Sequence, residues 1–214
     1  MAISLVLVDD HEVVREGLRH LLEAQPDLRV LAGFSDGREA VRFAAAAQPD
    51  VAIVDIAMPG LNGIEVTRQI HDGCPEAQVL ILSMHADPEY VYQALRAGAR
   101  GYLVKDSAGS EVVSAVRAVH GGRRYLSRKL DETAIDRYLR ERGDDNPLER
   151  LSARERQVLQ LVVEGRTSAE IAAQLSLSPK SVDTYRSRLM AKLELADLPA
   201  LVKFAIRHGI TTLR

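Results

Sequence analysis

Five short apolar runs, each followed by a segment with helical spacing, occupy the first 120 residues of the chain. The runs are Ile3–Val8, Leu28–Phe34, Val51–Asp55, Val79–Ser83 and Gly101–Lys105. Between them apolar residues recur at helical intervals, as in Val13, Val14, Leu18, Leu21 and Leu22, or Ile64, Val66 and Ile70. Pro26 and Pro75 end two of these helices, and the last runs over 110–120. Nearly continuous apolar runs of this length, bounded by turn residues, read as strands buried on both faces. Their strict alternation with helices, over connections of a few residues, predicts an α/β fold with a parallel sheet covered on both sides.

All strands of a parallel sheet end at one edge, where ligands bind in open α/β sheets. Four of the five runs end in polar groups: Asp9-Asp10, Asp55, Ser83 and Lys105. Asp55 is followed by Met58-Pro59-Gly60, a turn signal, so it sits where the backbone leaves the strand. Taken singly, each has an ordinary explanation. Asp55 could cap a turn, Asp9-Asp10 could cap the first helix, Ser83 could be a turn residue and Lys105 an exposed strand-end charge. Their convergence is what argues for a site. Carboxylates about 5 Å apart repel by roughly 3 kcal/mol at an effective dielectric near 20, so either one is protonated or a cation sits among them. Hard oxygen donors with room for water suit Mg²⁺. Asp55 is then a candidate nucleophile for an aspartyl-phosphate. Lys105 would pair with phosphoryl oxygens and the Ser83 hydroxyl would donate to them. A nucleotide-binding enzyme would want a glycine-rich turn after the first strand, and Asp9-Asp10-His11-Glu12 stands there instead.

Gly121-Gly122 breaks the pattern, and a charged segment follows to Pro147 with one expected helix over 130–142, read as an exposed linker in preference to a coupling element or dimer contact because its apolar face is weak. From Leu151 the spacing is purely helical. Ser152 and Glu155 form a capping-box signature, Gly165 ends that helix, and 169–175, 179–193 and 198–208 carry further helices. Ser178-Pro179 supplies an N-cap and a first-turn proline. The short turn between 175 and 179 has helix-turn-helix spacing, whose second helix is the candidate for the major groove. That helix carries Lys180, Arg186, Arg188 and Lys192 against Asp183 alone, with Val182, Tyr185 and Leu189 facing inward. A plain helical bundle with a solvated basic face is the ordinary alternative. Charge separates the halves: residues 1–120 hold 17 acidic and 10 basic side chains, and the remainder 13 and 18. Such asymmetry suggests different partners, with nucleic acid for the basic half. Cys74 is the sole cysteine, which excludes an intrachain disulfide or a cysteine metal cage. No run approaches the roughly 18 residues of a membrane span and no secretory leader is read at the amino terminus, so a cytoplasmic protein with no membrane partner is expected.

The motifs Asp9-Asp10, Asp55 with Met58-Pro59, Asn62-Gly63, Leu82-Ser83 and Gly101–Lys105 make residues 1–120 resemble a CheY-like response-regulator receiver. The resemblance implies a five-stranded flavodoxin-like (βα)5 fold with central order 2-1-3-4-5. It also implies Asp55 as phosphoacceptor from a sensor histidine kinase. Mg²⁺ would be held by Asp9, Asp10, Asp55 and the Ala57 carbonyl, and Ser83 and Tyr102 would move together on phosphorylation. Met84 stands where many receivers have a small residue. Residues 148–214 resemble a LuxR-type helix-turn-helix domain, through Leu151–Glu155, Val158-Leu159, Gly165, Glu170–Ala172, Leu175, Ser178–Val182 and Lys192-Leu193.

Together the two regions are similar to the NarL/FixJ class of transcriptional regulators. The expected layout is a receiver over 1–121, a linker over 122–147 and an all-α, four-helix DNA-binding domain over 148–214. The expected partners are double-stranded promoter DNA, a second copy of the chain when phosphorylated or DNA-bound, and, further, RNA polymerase. The chain would not be an enzyme in the ordinary sense, beyond removing its own phosphoryl group. Asp183 replaces a lysine or glutamate of many members, and Tyr185 a histidine. Thr184 and Ser187 are therefore expected at base edges, Lys180, Arg186, Arg188 and Lys192 at phosphates, and Asp183 as an acceptor from cytosine. Two rivals are a helical half that docks protein, and a phosphotransferase acting on a small metabolite, which would need a substrate domain.

Overall fold

The computed structural model describes residues 2–142 and 146–211. Contacts divide the chain into two compact units, Met1–Tyr138 and Leu139–Arg214. In the first unit β1 (Ile3–Val8), α1 (Glu12–Glu23), β2 (Leu28–Phe34), α2 (Gly37–Ala47) and β3 (Val51–Asp55) are followed by α3 (Gly63–Gly73) and β4 (Gln78–Ser83). Then come α4 (Pro88–Arg96), β5 (Gly101–Val104), α5 (Ala108–His120), β6 (Tyr125–Leu126) and α6 (Glu132–Arg142), within which the division between the units falls. The strands lie in the order β2-β1-β3-β4-β5-β6, all parallel. The five-stranded order expected from the sequence is present, with β6 added at its edge.

Strand period decides which side chains meet which helices. Leu5, Leu7, Ile53, Leu80, Leu82 and Leu103 point to one face, where they pack with Leu18 and Leu22 of α1 and Val112, Val116 and Val119 of α5. The helices α2, α3 and α4 pack on the other side. Every residue of β3 is buried, which explains why that run lacks the alternation of a half-exposed strand. Each fully buried aliphatic side chain contributes about 1.5–3 kcal/mol, so the middle strands hold the sheet rigid up to the edge where their polar residues begin.

The expectation of an exposed linker helix over 130–142 is corrected by Ile135, which is 1% exposed. The Tyr138 hydroxyl donates to Glu89 of α4, and its ring meets Tyr92 edge-on at 5.9 Å. Upstream, Ser127 N donates to the Tyr102 carbonyl at 2.8 Å, continuing the pairing of β6 with β5. Glu111 of α5 gathers this segment, accepting from the Tyr125 hydroxyl at 2.8 Å and from Arg128 N at 3.2 Å. The first unit therefore runs past Gly121-Gly122, because a two-residue strand and a single buried isoleucine carry the chain on against the sheet.

The second unit holds α7 (Ala153–Val163), α8 (Ser168–Leu175), α9 (Pro179–Lys192) and α10 (Leu198–Arg207). Ser152 and Glu155 form the expected capping box, and Thr167 with Glu170 forms another. The core gathers Leu151, Val158, Leu159, Leu161, Ile171, Leu175, Val182, Leu189 and Leu201. Among the described residues no helix is long and apolar enough to cross a membrane.

Candidate functional site

The ends of β1, β3 and β5 bring Asp9, Asp55 and Lys105 together. Asp9 and Asp55 are each 2% exposed. Lys105 Nζ lies 2.8 Å from Asp55 Oδ2 and 2.8 Å from Asp9 Oδ2. One ammonium thus faces two carboxylates, where the sequence reading places Lys105 against phosphoryl oxygens. Toward Asp55 it makes a hydrogen bond. Asp9 Oδ2 is near enough for an ion pair, yet has no hydrogen bond in a favourable direction, and Asp10 Oδ1 is likewise a buried oxygen without one.

Local structure fixes each group. Arg15 of α1 donates to the Asp9 carbonyl at 2.7 Å, and His11 N donates to Asp9 Oδ1 at 2.8 Å. Ala57, exposed after β3, donates its N–H to Asp55 Oδ1 at 3.3 Å. Gly63 explains the Asn62-Gly63 pair: a Cβ there would lie 2.0 Å from the Asp55 carbonyl oxygen, so only glycine lets the start of α3 press against that backbone. Asn62 then caps α3, accepting from Glu65 N at 2.9 Å.

Burial pushes the Asp55 carboxyl above its ordinary range; Lys105 pulls it down, nearby Asp9 pushes it up, and the balance stays raised. Burial works against the charged form of Lys105, but its hydrogen bond to Asp55 and its closeness to the Asp9 carboxylate prevail and raise its pKa. Ligand atoms of Asp9, Asp10, His11 and Asp55 all lie within 4.8 Å of one another. Charges at that separation repel by about 3 kcal/mol at an effective dielectric near 20. Three carboxylates offering hard oxygens, two of those oxygens lacking hydrogen bonds, suit a divalent cation such as Mg²⁺.

Ser83, 1% exposed, and Tyr102, fully buried, lie next to this cluster in the sheet. Nothing in the pattern of residue types singles out the one that joins them. His85 N donates to Ser83 Oγ at 3.1 Å, while the Tyr102 hydroxyl donates to the His85 carbonyl at 2.8 Å. The His85 ring stacks on Tyr90 at 4.2 Å. Burial raises the Tyr102 pKa far above its usual value, so the ring stays a neutral donor. Met84 is 65% exposed beside them. His11 was also missed: its ring nitrogen lies 2.9 Å from Asp10 Oδ1 and 3.2 Å from Asp9 Oδ1. Only its place beside Asp9-Asp10 signalled it.

In the second unit a three-residue turn, with Ser176 in the left-handed conformation at φ 54°, joins α8 to α9. Ser178 caps α9 and Pro179 opens it. Val182 and Leu189 are buried and Tyr185 packs half-buried against the same core, leaving Lys180, Asp183, Thr184, Ser187 and Arg188 exposed on the helix. Arg186 is half-buried. Three of the expected DNA-facing residues also serve the protein itself. Asp183 Oδ1 accepts from Ser168 Oγ of α8 at 2.8 Å. Thr184 Oγ1 donates to the Lys180 carbonyl at 2.9 Å. Lys192 Nζ pairs with Glu155 Oε2 at 2.7 Å, tying α9 to the start of α7.

Comparisons with known proteins agree with both halves. Residues 5–117 match the response regulator receiver domain, and residues 149–205 match bacterial regulatory proteins of the luxR family. The chain is 37% identical over 208 residues to the response regulator UvrY of Escherichia coli O6:H1, covering 97% of this chain and 95% of that protein. It is 38% identical over 209 residues to the transcriptional regulatory protein LiaR of Bacillus subtilis, covering 97% and 99%. The solved complex of the two-component response regulator RcsB with DNA superposes with a TM-score of 0.57 at 27% identity, over 97% of this chain and 99% of that one.

Proposed function

The chain belongs to the NarL/FixJ class of two-component response regulators, a receiver joined to a luxR-type DNA-binding domain, and from that premise we propose that Asp55 takes a phosphoryl group from a histidine kinase to control DNA binding. The observation that carries this is Lys105 Nζ held 2.8 Å from both Asp55 and Asp9 at the edge of the sheet. The ionised Asp55 oxygen attacks the phosphorus of a phosphohistidine. The P–N bond breaks, the P–O bond of an acyl phosphate forms, and the kinase imidazole leaves. Lys105 trades one carboxylate partner for a phosphoryl oxygen. The Ser83 oxygen accepts from His85 N, and its O–H would turn to donate to the phosphoryl group. Asp9, Asp10, Asp55 and the Ala57 carbonyl would hold Mg²⁺. When bound, that ion shields the incoming phosphoryl group from the carboxylates. The same chemistry, run with water as nucleophile, removes the phosphoryl group again.

Phosphorylation replaces the single charge of the Asp55 carboxylate with a phosphoryl group carrying about −1.5 to −2, a net gain of about one negative charge. A Ser83 hydroxyl drawn to the phosphoryl group disturbs its bond with His85, and the Tyr102 hydroxyl on the His85 carbonyl feels the change. In this reading the consequence is dimerisation and sequence-specific binding to two half-sites of promoter DNA through α9, and so control of transcription in the cytoplasm with RNA polymerase as a further partner. Thr184 and Ser187 face base edges; Lys180, Arg186, Arg188 and Lys192 meet phosphates. The receivers and DNA complexes among its relatives support this reading.

The test is Asp55→Asn. Acetyl phosphate with Mg²⁺ should label the wild-type protein and tighten its binding to promoter DNA, and should do neither to the variant. Labelling that survives the substitution, or binding that responds equally in both proteins, refutes the proposal.

A further inference from the structure

We propose that His11 is a ligand of the cation held at the strand ends, and that it biases the pocket toward later first-row divalent ions that favour nitrogen, such as Co²⁺ and Ni²⁺, over Mg²⁺. This rests on reading Asp9, Asp10 and Asp55 as the metal site. His11 occupies the N-cap position of α1, where a polar side chain would ordinarily bond the helix's first N–H groups. It makes no such bond. Instead its ring turns back over the carboxylates, with Nδ1 at 2.9 Å from Asp10 Oδ1 and 3.2 Å from Asp9 Oδ1. Ligands about 2.1 Å from an octahedral ion stand about 3.0 Å apart along a cis edge. The His11 nitrogen therefore stands from each of the two carboxylate oxygens at the spacing of neighbouring ligands.

The oxygens point the same way. Asp9, 2% exposed, has at Oδ2 only the ion pair with Lys105 at 2.8 Å, and Asp10 has at Oδ1 only the His11 ring at 2.9 Å, neither oxygen taking a hydrogen bond. The ring nitrogen can offer these oxygens a proton or offer a cation its lone pair. Imidazole suits later first-row ions, whereas carboxylate and water suit Mg²⁺. His11 is 63% exposed at its side chain, so it can swing to follow an ion while Asp9 stays fixed.

The full-length protein, His11→Ala and Asp55→Asn with Asp10→Asn would be compared by pulsed electron paramagnetic resonance with Mn²⁺ and by calorimetric titration with Co²⁺ and Mg²⁺. We expect nitrogen coupling to Mn²⁺ in the wild type and none in His11→Ala. Co²⁺ affinity should fall about tenfold or more in that variant, with Mg²⁺ affinity changed by less than about twofold. Manganese bound through the carboxylates without nitrogen coupling, or coupling that persists in His11→Ala, overturns the proposal and leaves the acidic site standing. Metal binding unchanged in the double carboxylate variant overturns both. His11 is exposed and caps nothing, so the alanine variant should fold, which thermal unfolding in metal-free buffer checks.

Discussion

The strand-end pocket and the outer face of α9 use the same residue types under opposite conditions. In the pocket Asp9 and Asp55 are 2% exposed, and a single Lys105 serves both. On α9, Lys180 and Arg188 stand in solvent with no ion pair among the described residues. Burial makes every pocket charge depend on its neighbours, because an unpaired ion in a low-dielectric site has no water to turn to. Exposure makes the α9 charges nearly independent, each screened by solvent. The pocket is therefore suited to a switch, in which one added charge disturbs several bonds at once. The helix face is suited to binding a polyanion by summing small contributions.

Lys105→Ala tests the coupled side with the largest expected effect. Breaking a buried ion pair by removing one partner costs about 3–5 kcal/mol, and Lys105 leaves two carboxylates behind. Urea unfolding at pH 7 without divalent ions should show a loss of about 3 kcal/mol. Adding Asp55→Asn to this variant should recover part of it, because one repelling charge disappears. A loss below about 1 kcal/mol would mean that the pocket is hydrated like a surface pair, and the contrast with α9 would fall.

Arg186→Ala and Arg188→Ala test the additive side. If each cation meets a phosphate, the two together should reduce the slope of log affinity against log salt by about 2 and weaken binding about tenfold near 0.1 M salt. The single variants should sum to the double. Strong non-additivity would show that α9 charges are coupled too. Arg186, being half-buried, is the one of the pair that could depart from the sum.

Lys192 and Glu155 break the simple division, since an α9 cation is here tied to a buried acid. Burial pushes the Glu155 carboxyl up, but bonds from Lys192 and from Ser152 outweigh it and hold the group below its ordinary value of 4.5. A depressed folded pKa stabilises the fold above the unfolded value, and that stabilisation is lost as pH falls through the folded one. Glu155→Gln should thus lower stability by about 1 kcal/mol at neutral pH. The difference from wild type should shrink as pH drops below 4.5, read as converging melting temperatures. A constant difference across that range would assign the cost to packing.

The same contrast explains what could be read from the sequence. Asp9-Asp10, Asp55, Ser83 and Lys105 were legible because parallel strands force their ends to one edge, whatever the separation in sequence. The four helices of the second unit were legible from period and caps. By contrast β6 is two residues long and has no period to detect, and one isoleucine, Ile135, docks α6. His85 joins Ser83 to Tyr102 through its backbone, which any residue type could do. The pairings of Lys192 with Glu155 and Asp183 with Ser168 depend on how helices lie against each other, so the exposed face of α9 looked more available than it is.

Asp183 carries the smallest effect and the sharpest distinction. As an acceptor from cytosine it would be a specificity residue, and its removal would relax preference at one base pair while costing affinity for the best site. As the partner of Ser168 at 2.8 Å it is a brace between α8 and α9. Removing an exposed brace should lower stability by roughly 0.5 kcal/mol, with Ser168→Ala doing the same and the double variant adding little. Removing a negative charge beside phosphates should also tighten binding to all duplexes alike. Asp183→Ala assayed against duplexes that differ at each position separates the two roles. Uniformly tighter binding with unchanged preferences makes Asp183 part of the protein's own packing. A preference lost at one position makes it a reader of sequence, and the bond to Ser168 would then be one that DNA displaces.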